Sequence, residues 1–183
     1  LSDRGATNEF EVLWQGSESQ NWALLSARRL RYQAQDAVLT TFTPINGLKA
    51  MEERLALWAK VFEASSESIM ITDGERRIIT VNRAFSRSTG YSFEDVAGQT
   101  PERLRSDRQP DAHFEDIWRT AVARGSWHGE LWLRRNTGES FALWSVINAV
   151  RSDSDQVTHF ISVSHDISER KANEQRISHL AQH

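Results

Sequence analysis

Apolar and polar positions alternate with period two in some stretches of this chain and recur at helical spacing in others, and the changes between the two divide it into elements. Residues 10–15 (Phe-Glu-Val-Leu-Trp-Gln), 21–32 and 36–43 (Asp-Ala-Val-Leu-Thr-Thr-Phe-Thr) predict three strands, separated by Gly16-Ser17-Glu18-Ser19 and by Gln33-Ala34-Gln35. Connections this short imply an antiparallel meander. After Pro44 the rhythm changes: Leu48, Met51, Leu55, Trp58 and Phe62 are spaced three, four, three and four apart, as in a coiled-coil seam. Such a stripe must be buried, either against a second copy or against a sheet of its own chain.

Ser65-Ser66-Glu67 closes that helix, and residues 68–73 and 78–81 predict a hairpin turning at Gly74-Glu75. Short helical turns are expected at Asn82-Arg83-Ala84-Phe85 and at 92–96, where Ser92 is a plausible N-cap followed by the acid Asp95. Residues 99–111, with Pro101 and Pro110, read as a loop. Phe114, Ile117, Trp118, Ala121 and Val122 then recur at helical spacing as far as Gly125. Three more strands, 127–133, 140–150 and 157–164, follow, with turns at Asn136-Thr137-Gly138 and Ser152-Asp153-Ser154-Asp155, before a charged helix that runs to His183.

The chain also repeats itself. Gly16, Trp22, Ala27, Ile45, Lys49, Ala50, Glu52, Arg54 and Ala59 recur 122 residues later as Gly138, Trp144, Ala149, Ile167, Lys171, Ala172, Glu174, Arg176 and Ala181. Two copies of one folding unit are expected, the first without its front half, so the chain reads as a slice of a longer protein.

With 39% apolar residues, the chain can bury one full core and a partial one. Its formal charge of -3, with basic and acidic residues interleaved, offers no basic stripe, so nucleic acid is not an expected partner. No long apolar run and no signal-peptide pattern is present; a cytoplasmic location is expected, with any membrane anchor in segments outside this fragment. The absence of cysteine excludes disulfides and thiol catalysis. There is no nucleophile elbow and no Ser-His-Asp set, and His128, His159 and His165 lack metal-ligand spacing, so neither a catalytic nor a metal site is expected.

Candidate binding residues are few. Trp118, Trp127, Trp132 and Trp144 can wall a pocket or simply fill a core. Strand alternation puts Ser126, His128, Glu130 and Trp132 on one face and Trp127, Gly129, Leu131 and Leu133 on the other, so these indoles cannot all meet one ligand. Asn82 offers an amide to a ligand or caps the helix after it. Arg105 and Arg108, beside Asp107, either clamp an anion or form a solvated loop pair.

The order of elements, with Ile71-Thr72-Asp73, Val81-Asn82-Arg83-Ala84-Phe85, Thr89-Gly90-Tyr91, Trp127-His128-Gly129-Glu130, Arg134-Arg135-Asn136-Thr137-Gly138-Glu139 and His165-Asp166-Ile167-Ser168-Glu169-Arg170-Lys171, resembles the PAS sensory family. The resemblance implies an α+β PAS fold: a five-stranded antiparallel sheet with short helices forming a pocket on one face. Residues 58–168 would be a complete PAS domain and 1–46 the C-terminal half of a first one. The helix 47–62 would link them in a coiled-coil-like manner, and 169–183 would be the exit helix.

That exit helix, ending Glu174-Gln175-Arg176-Ile177-Ser178-His179-Leu180-Ala181-Gln182-His183, is similar to those that lead into diguanylate cyclase (GGDEF) domains, often followed by cyclic-di-GMP phosphodiesterase (EAL) domains. The implied role is a non-catalytic regulator in bacterial signal transduction. It would act as a homodimer through Leu48, Met51, Leu55, Trp58 and Phe62, with a downstream output domain in the same chain. A ligand-free PAS dimerisation domain and the sensor of a histidine kinase are the alternatives.

The cofactor stays open. The spacing of Trp118 and Trp127, followed by Arg134-Arg135, is similar to that in PAS domains that hold FAD, but those have Asn where this chain has Leu133 and polar residues where it has Met70 and Pro101. Trp118, Trp127, Asn82, Trp144 and Arg105 are the expected cofactor-binding set. His113 stands roughly where some haem PAS domains carry their iron ligand, without a second ligand to support it. The resemblance further implies that Asp166 pairs with a basic residue near the exit helix, with Arg170 or Lys171 within reach.

Overall fold

The computed structural model describes residues 9–15 and 20–180 and forms two compact units, Leu1–Ala59 and Lys60–His183. The turn expected at 16–19 and residues 181–183, the end of the expected exit helix, lie outside the described residues.

In the first unit, β1 (Glu9–Gln15), β2 (Gln20–Tyr32) and β3 (Gln35–Pro44) form an antiparallel sheet in that order. The β2–β3 connection is two residues long, with Gln33 at φ 49° and Ala34 at φ 63°. This is the left-handed backbone of a tight hairpin turn, here without the glycine that usually relieves it. Helix α1 (Asn46–Ala64) leaves the sheet through fixed contacts. The Ile45 N–H donates to the Trp22 carbonyl (2.9 Å), and the Trp22 N–H donates to Asn46 Oδ1 (2.5 Å). Lys49 Nζ reaches Glu11 (2.5 Å) and lies 5.0 Å from the Trp22 ring centre. No residue of α1 is buried, and Leu48, Met51, Leu55 and Trp58 are all more than half exposed.

The second unit begins with the hairpin β4 (Ser68–Asp73) and β5 (Ile78–Val81). Its turn is held by Asp73 Oδ1, which accepts from the N–H groups of Glu75 and Arg77. Helix α2 (Arg83–Thr89) starts at Asn82 and stops at Gly90, whose φ of 79° only glycine adopts without strain. Helix α3 (Phe93–Val96) has the full Ser92–Asp95 capping box. A 3₁₀ turn (Pro101–Leu104) and α4 (Asp111–Arg124) follow, then β6 (Ser126–Arg134), β7 (Ser140–Arg151), β8 (Val157–Asp166) and the exit helix α5 (Ser168–Leu180). The five strands are antiparallel in the order β5-β4-β8-β7-β6.

The core has two centres. Phe114, Ile117, Trp118 and Ala121 of α4 pack on Leu131, Phe141, Leu143, Ile147 and Phe160 of the sheet, with Trp118 edge-on to Phe160 at 5.2 Å. Met70, Ile78, Val81, Phe85, Val96 and Leu104 form the second, and Leu133 touches both. Each buried Val, Leu, Ile, Phe or Met among them contributes roughly 1.5–3 kcal/mol by leaving water.

The two units leave their sheets in the same way. In the second, the Ile167 N–H donates to the Ala142 carbonyl and the Ala142 N–H to Ser168 Oγ, the places taken by Ile45, Trp22 and Asn46 in the first. Trp22 therefore corresponds to Ala142 and not, as the ungapped repeat implied, to Trp144. The hairpin explains the slip: Tyr32 pairs with Gln35 in the first unit, whereas Arg151 pairs with Val157 across a longer loop in the second. The α1 seam is not repeated either, since Arg170 and Asn173 of α5 stand where α1 has Leu48 and Met51.

Candidate functional site

Beneath the sheet of the second unit lies a cavity of about 30 Å³, between α2, α4, the 3₁₀ turn and the inner face of β4, β8, β7 and β6. Its walls are apolar, with Met70, Leu104, Phe114, Leu131 and Leu133 among them. Its floor is a row of small side chains. Ser68, Ser164 and Ser145 stand opposite one another on β4, β8 and β7, and Gly129 of β6 continues the row. Ser145 and Ser164 hydroxyls are buried and 2.6 Å apart. A Cβ on Gly129 would meet the Trp127 ring at 2.7 Å.

The row inverts the usual pattern of a half-buried strand. On β8 the inward positions are Phe160, Ser162 and Ser164, and the outward ones are the half-buried Ile161 and Val163. The small inward hydroxyls are what leave the cavity open. Trp118 Nε1 is a buried N–H with no acceptor among the described residues. Such a group gains from any acceptor brought to it.

Of the five residues expected to bind a cofactor, Trp118 alone lines this cavity. Trp127 is half-buried and packs beside the core, over Gly129. Trp144 is 41% exposed on the opposite face of the sheet, next to His128. Arg105 pairs with Asp111 and bridges Leu133 by backbone on the loop outside. Asn82 is buried, and its amide is fully used: Oδ1 accepts from the N–H groups of Phe85 and Ile69, and Nδ2 donates to the carbonyls of Phe62 and Glu67. It is a cap and a strut. The expected set is therefore not brought together.

The cavity does not fit a flavin. Met70, Pro101 and Leu133, the three positions lacking polar groups, all line it, so the hydrogen bonds a flavin ring needs there have no partners. His113 is exposed at the start of α4 and does not line the cavity, so it does not place a haem ligand there.

The cavity wall is tied to the exit helix. Phe85 and Thr89 of α2 line the cavity, and between them the Ser88 carbonyl accepts a hydrogen bond from Arg135 Nη1. Arg135 Nη2 donates to Asp166 Oδ2 at 2.7 Å, and its guanidinium stacks 3.8 Å from the Phe141 ring centre. Asp166 Oδ1 accepts from the Ser168 N–H, the first residue of α5. Burial pushes the Asp166 carboxyl up, but the Arg135 and Ser168 hydrogen bonds together outweigh it and hold the group below its usual range. The expected partners Arg170 and Lys171 do not reach Asp166. They meet Glu130 of β6 instead, Lys171 at 2.8 Å. The reason is direction: Glu130 lies on the outward face of the sheet with α5, whereas Arg135 rises from the β6–β7 turn beside α2.

Asn136 completes the clasp. Its N–H donates to the Thr89 carbonyl and its Nδ2 to the Gly90 carbonyl.

The PAS domain family model matches residues 66–169, more than half of the chain. The chain is 30% identical over 126 residues to a nitrogen fixation regulatory protein of Klebsiella oxytoca, covering 69% of this chain and 26% of that protein. It is 28% identical over 165 residues to the sensor histidine kinase TmoS of Ectopseudomonas mendocina, covering 85% of this chain and 17% of that one. The chain thus spans about a quarter or less of the length of these curated relatives. Among solved structures, a PAS domain from Colwellia psychrerythraea aligns with a TM-score of 0.59 at 22% identity, covering 63% of this chain and 98% of that one.

Proposed function

This chain belongs to the PAS domain family, and we propose that its second unit is the sensory module of a bacterial signalling protein, taking a small uncharged molecule into the cavity and reporting it to an output domain beyond α5. The observation that carries the reading is the clasp from the cavity wall to the exit helix: Ser88 to Arg135, Arg135 to Asp166, Asp166 to Ser168. With room for about one water molecule, the cavity accepts a ligand only by moving its wall. A displaced α2 pulls on Arg135, and Arg135 holds Asp166, whose other oxygen accepts from the N–H of Ser168 at the start of α5. Two packings differing by a few kcal/mol are enough to make such a link a switch.

The apolar walls and the hydroxyl row favour a ligand with an apolar body and one hydrogen-bonding end. The sequence of the exit helix supports a cyclic-di-GMP output, a diguanylate cyclase or phosphodiesterase, and the exposed stripe of α1 supports action as a homodimer. Similarity to a sensor histidine kinase favours a kinase as the second reading of the output.

The test is enzymatic. The full-length protein, incubated with GTP and separately with cyclic-di-GMP, is expected to make or degrade cyclic-di-GMP; autophosphorylation on histidine with neither activity contradicts that output and selects the kinase.

A further inference from the structure

The first unit exposes the face that the second unit buries. Pairing fixes the correspondence residue by residue: Leu24 faces Thr43 as Trp144 faces His165, so Leu25 answers to Ser145, and Phe42 of β3 to Ser164. Phe10, opposite Leu25, answers to Gly129, opposite Ser145. By the same pairing, Trp14 answers to Leu133 and Val38 to Phe160.

In the second unit these positions lie under α2 and α4, in a sheet that β4 and β5 extend beyond β8. In the first, Phe10, Trp14, Val38 and Phe42 are 56%, 65%, 61% and 59% exposed. No strand joins the outer edge of β3 among the described residues. Large apolar side chains grouped on one face beside an open strand edge mark a docking surface.

We propose that the occupant of this face is a strand–strand–helix segment of the same polypeptide, preceding Leu1 in the full-length protein, which adds two strands to the β3 edge and lays its helices over Phe10, Trp14, Val38 and Phe42. The second unit is the argument for this occupant: there the corresponding face and the corresponding edge are covered together by one continuous segment, β4 to α4. A second copy of the same face would meet the side chains and leave the edge of β3 unpaired. The completed unit differs from its neighbour at its centre. Where the second unit keeps the row Ser164, Ser145 and Gly129, the first has Phe42, Leu25 and Phe10, so its interior is filled by its own side chains.

Hydrogen exchange measured on residues 35–44 tests the proposal, comparing this chain with the full-length protein at several concentrations. The expected result is exchange about tenfold or more slower in the full-length protein, independent of concentration. Equal exchange in the two proteins overturns it. So does protection that appears in this chain and grows with concentration, which assigns the face to a second copy.

Discussion

Arg135 and Asp166, 31 residues apart in sequence, meet through a hydrogen bond of 2.7 Å that joins the turn after β6 to the end of β8, two residues before the exit helix. Arg135 is also bonded to Ser88, so one side chain holds both the cavity wall and the helix start. The pair is partly exposed, with 35% of the Asp166 side chain open to solvent, which limits its worth as a stabiliser and leaves its value in connection.

The depressed carboxyl of Asp166 predicts a direction for stability against pH. A group whose pKa is lower in the folded protein stabilises it above the unfolded pKa, about 3.9, and the contribution disappears as pH falls through the folded value. Asp166→Asn is expected to cost about 1 kcal/mol or less at pH 6. Urea denaturation should show the gap between the two proteins closing below about pH 4; a gap that widens there would contradict the assignment.

Gly90 is fixed by two constraints. Its φ is 79°, and a Cβ would overlap Asn136 Oδ1, in the side chain that bonds the Gly90 carbonyl. Gly90→Ala is expected to lower the stability of the second unit by about 1–3 kcal/mol through left-handed strain and loss of the clasp. Thermal unfolding measures it.

Ala34 makes the opposite case. It holds φ 63° in a two-residue turn with no glycine. Ala34→Gly is expected to stabilise the β2–β3 hairpin by about 1 kcal/mol, because the strain relieved exceeds the entropy glycine adds to the unfolded chain. A rise in the denaturation midpoint assigned to the first unit checks this.

The exposed stripe of α1 predicts self-association. Leu55, 64% exposed, stands midway along it. Leu55→Asp should raise the dimer dissociation constant at least about tenfold in sedimentation, since a carboxylate desolvated in an apolar seam costs more than 1.4 kcal/mol.

The elements were legible because period and punctuation agree. The strands expected at 36–43 and 140–150 form as Gln35–Pro44 and Ser140–Arg151, and Gly125 ends α4 as expected. The faces of β6 were legible from alternation alone: Trp127, Leu131 and Leu133 face the core. The site was much less so. The indoles and guanidiniums stand mostly outside the cavity, and Ile161-Ser162-Val163-Ser164 carries the signal for the serine row, since a strand that alternates apolar residues with serine has to turn one kind inward. Which kind depends on register, and register depends on the pairing of β8 with β4 and β7, contacts distant in sequence. The partner of Asp166 depends on distant contacts in the same way. Arg170 and Lys171 are near in sequence, but direction from the sheet decides, and it selects Arg135.

The central claim is that the cavity speaks to the exit helix through Arg135. Ser162 lines the cavity, and Ser162→Val adds bulk inside it. Hydrogen exchange across Ser168–Leu180 in the native chain, in Ser162→Val, in Arg135→Met and in the double variant tests the claim most directly. The account predicts that Ser162→Val changes exchange in the first turn of this helix severalfold when Arg135 is present and leaves it unchanged when Arg135 is methionine; an equal change in both backgrounds would contradict it.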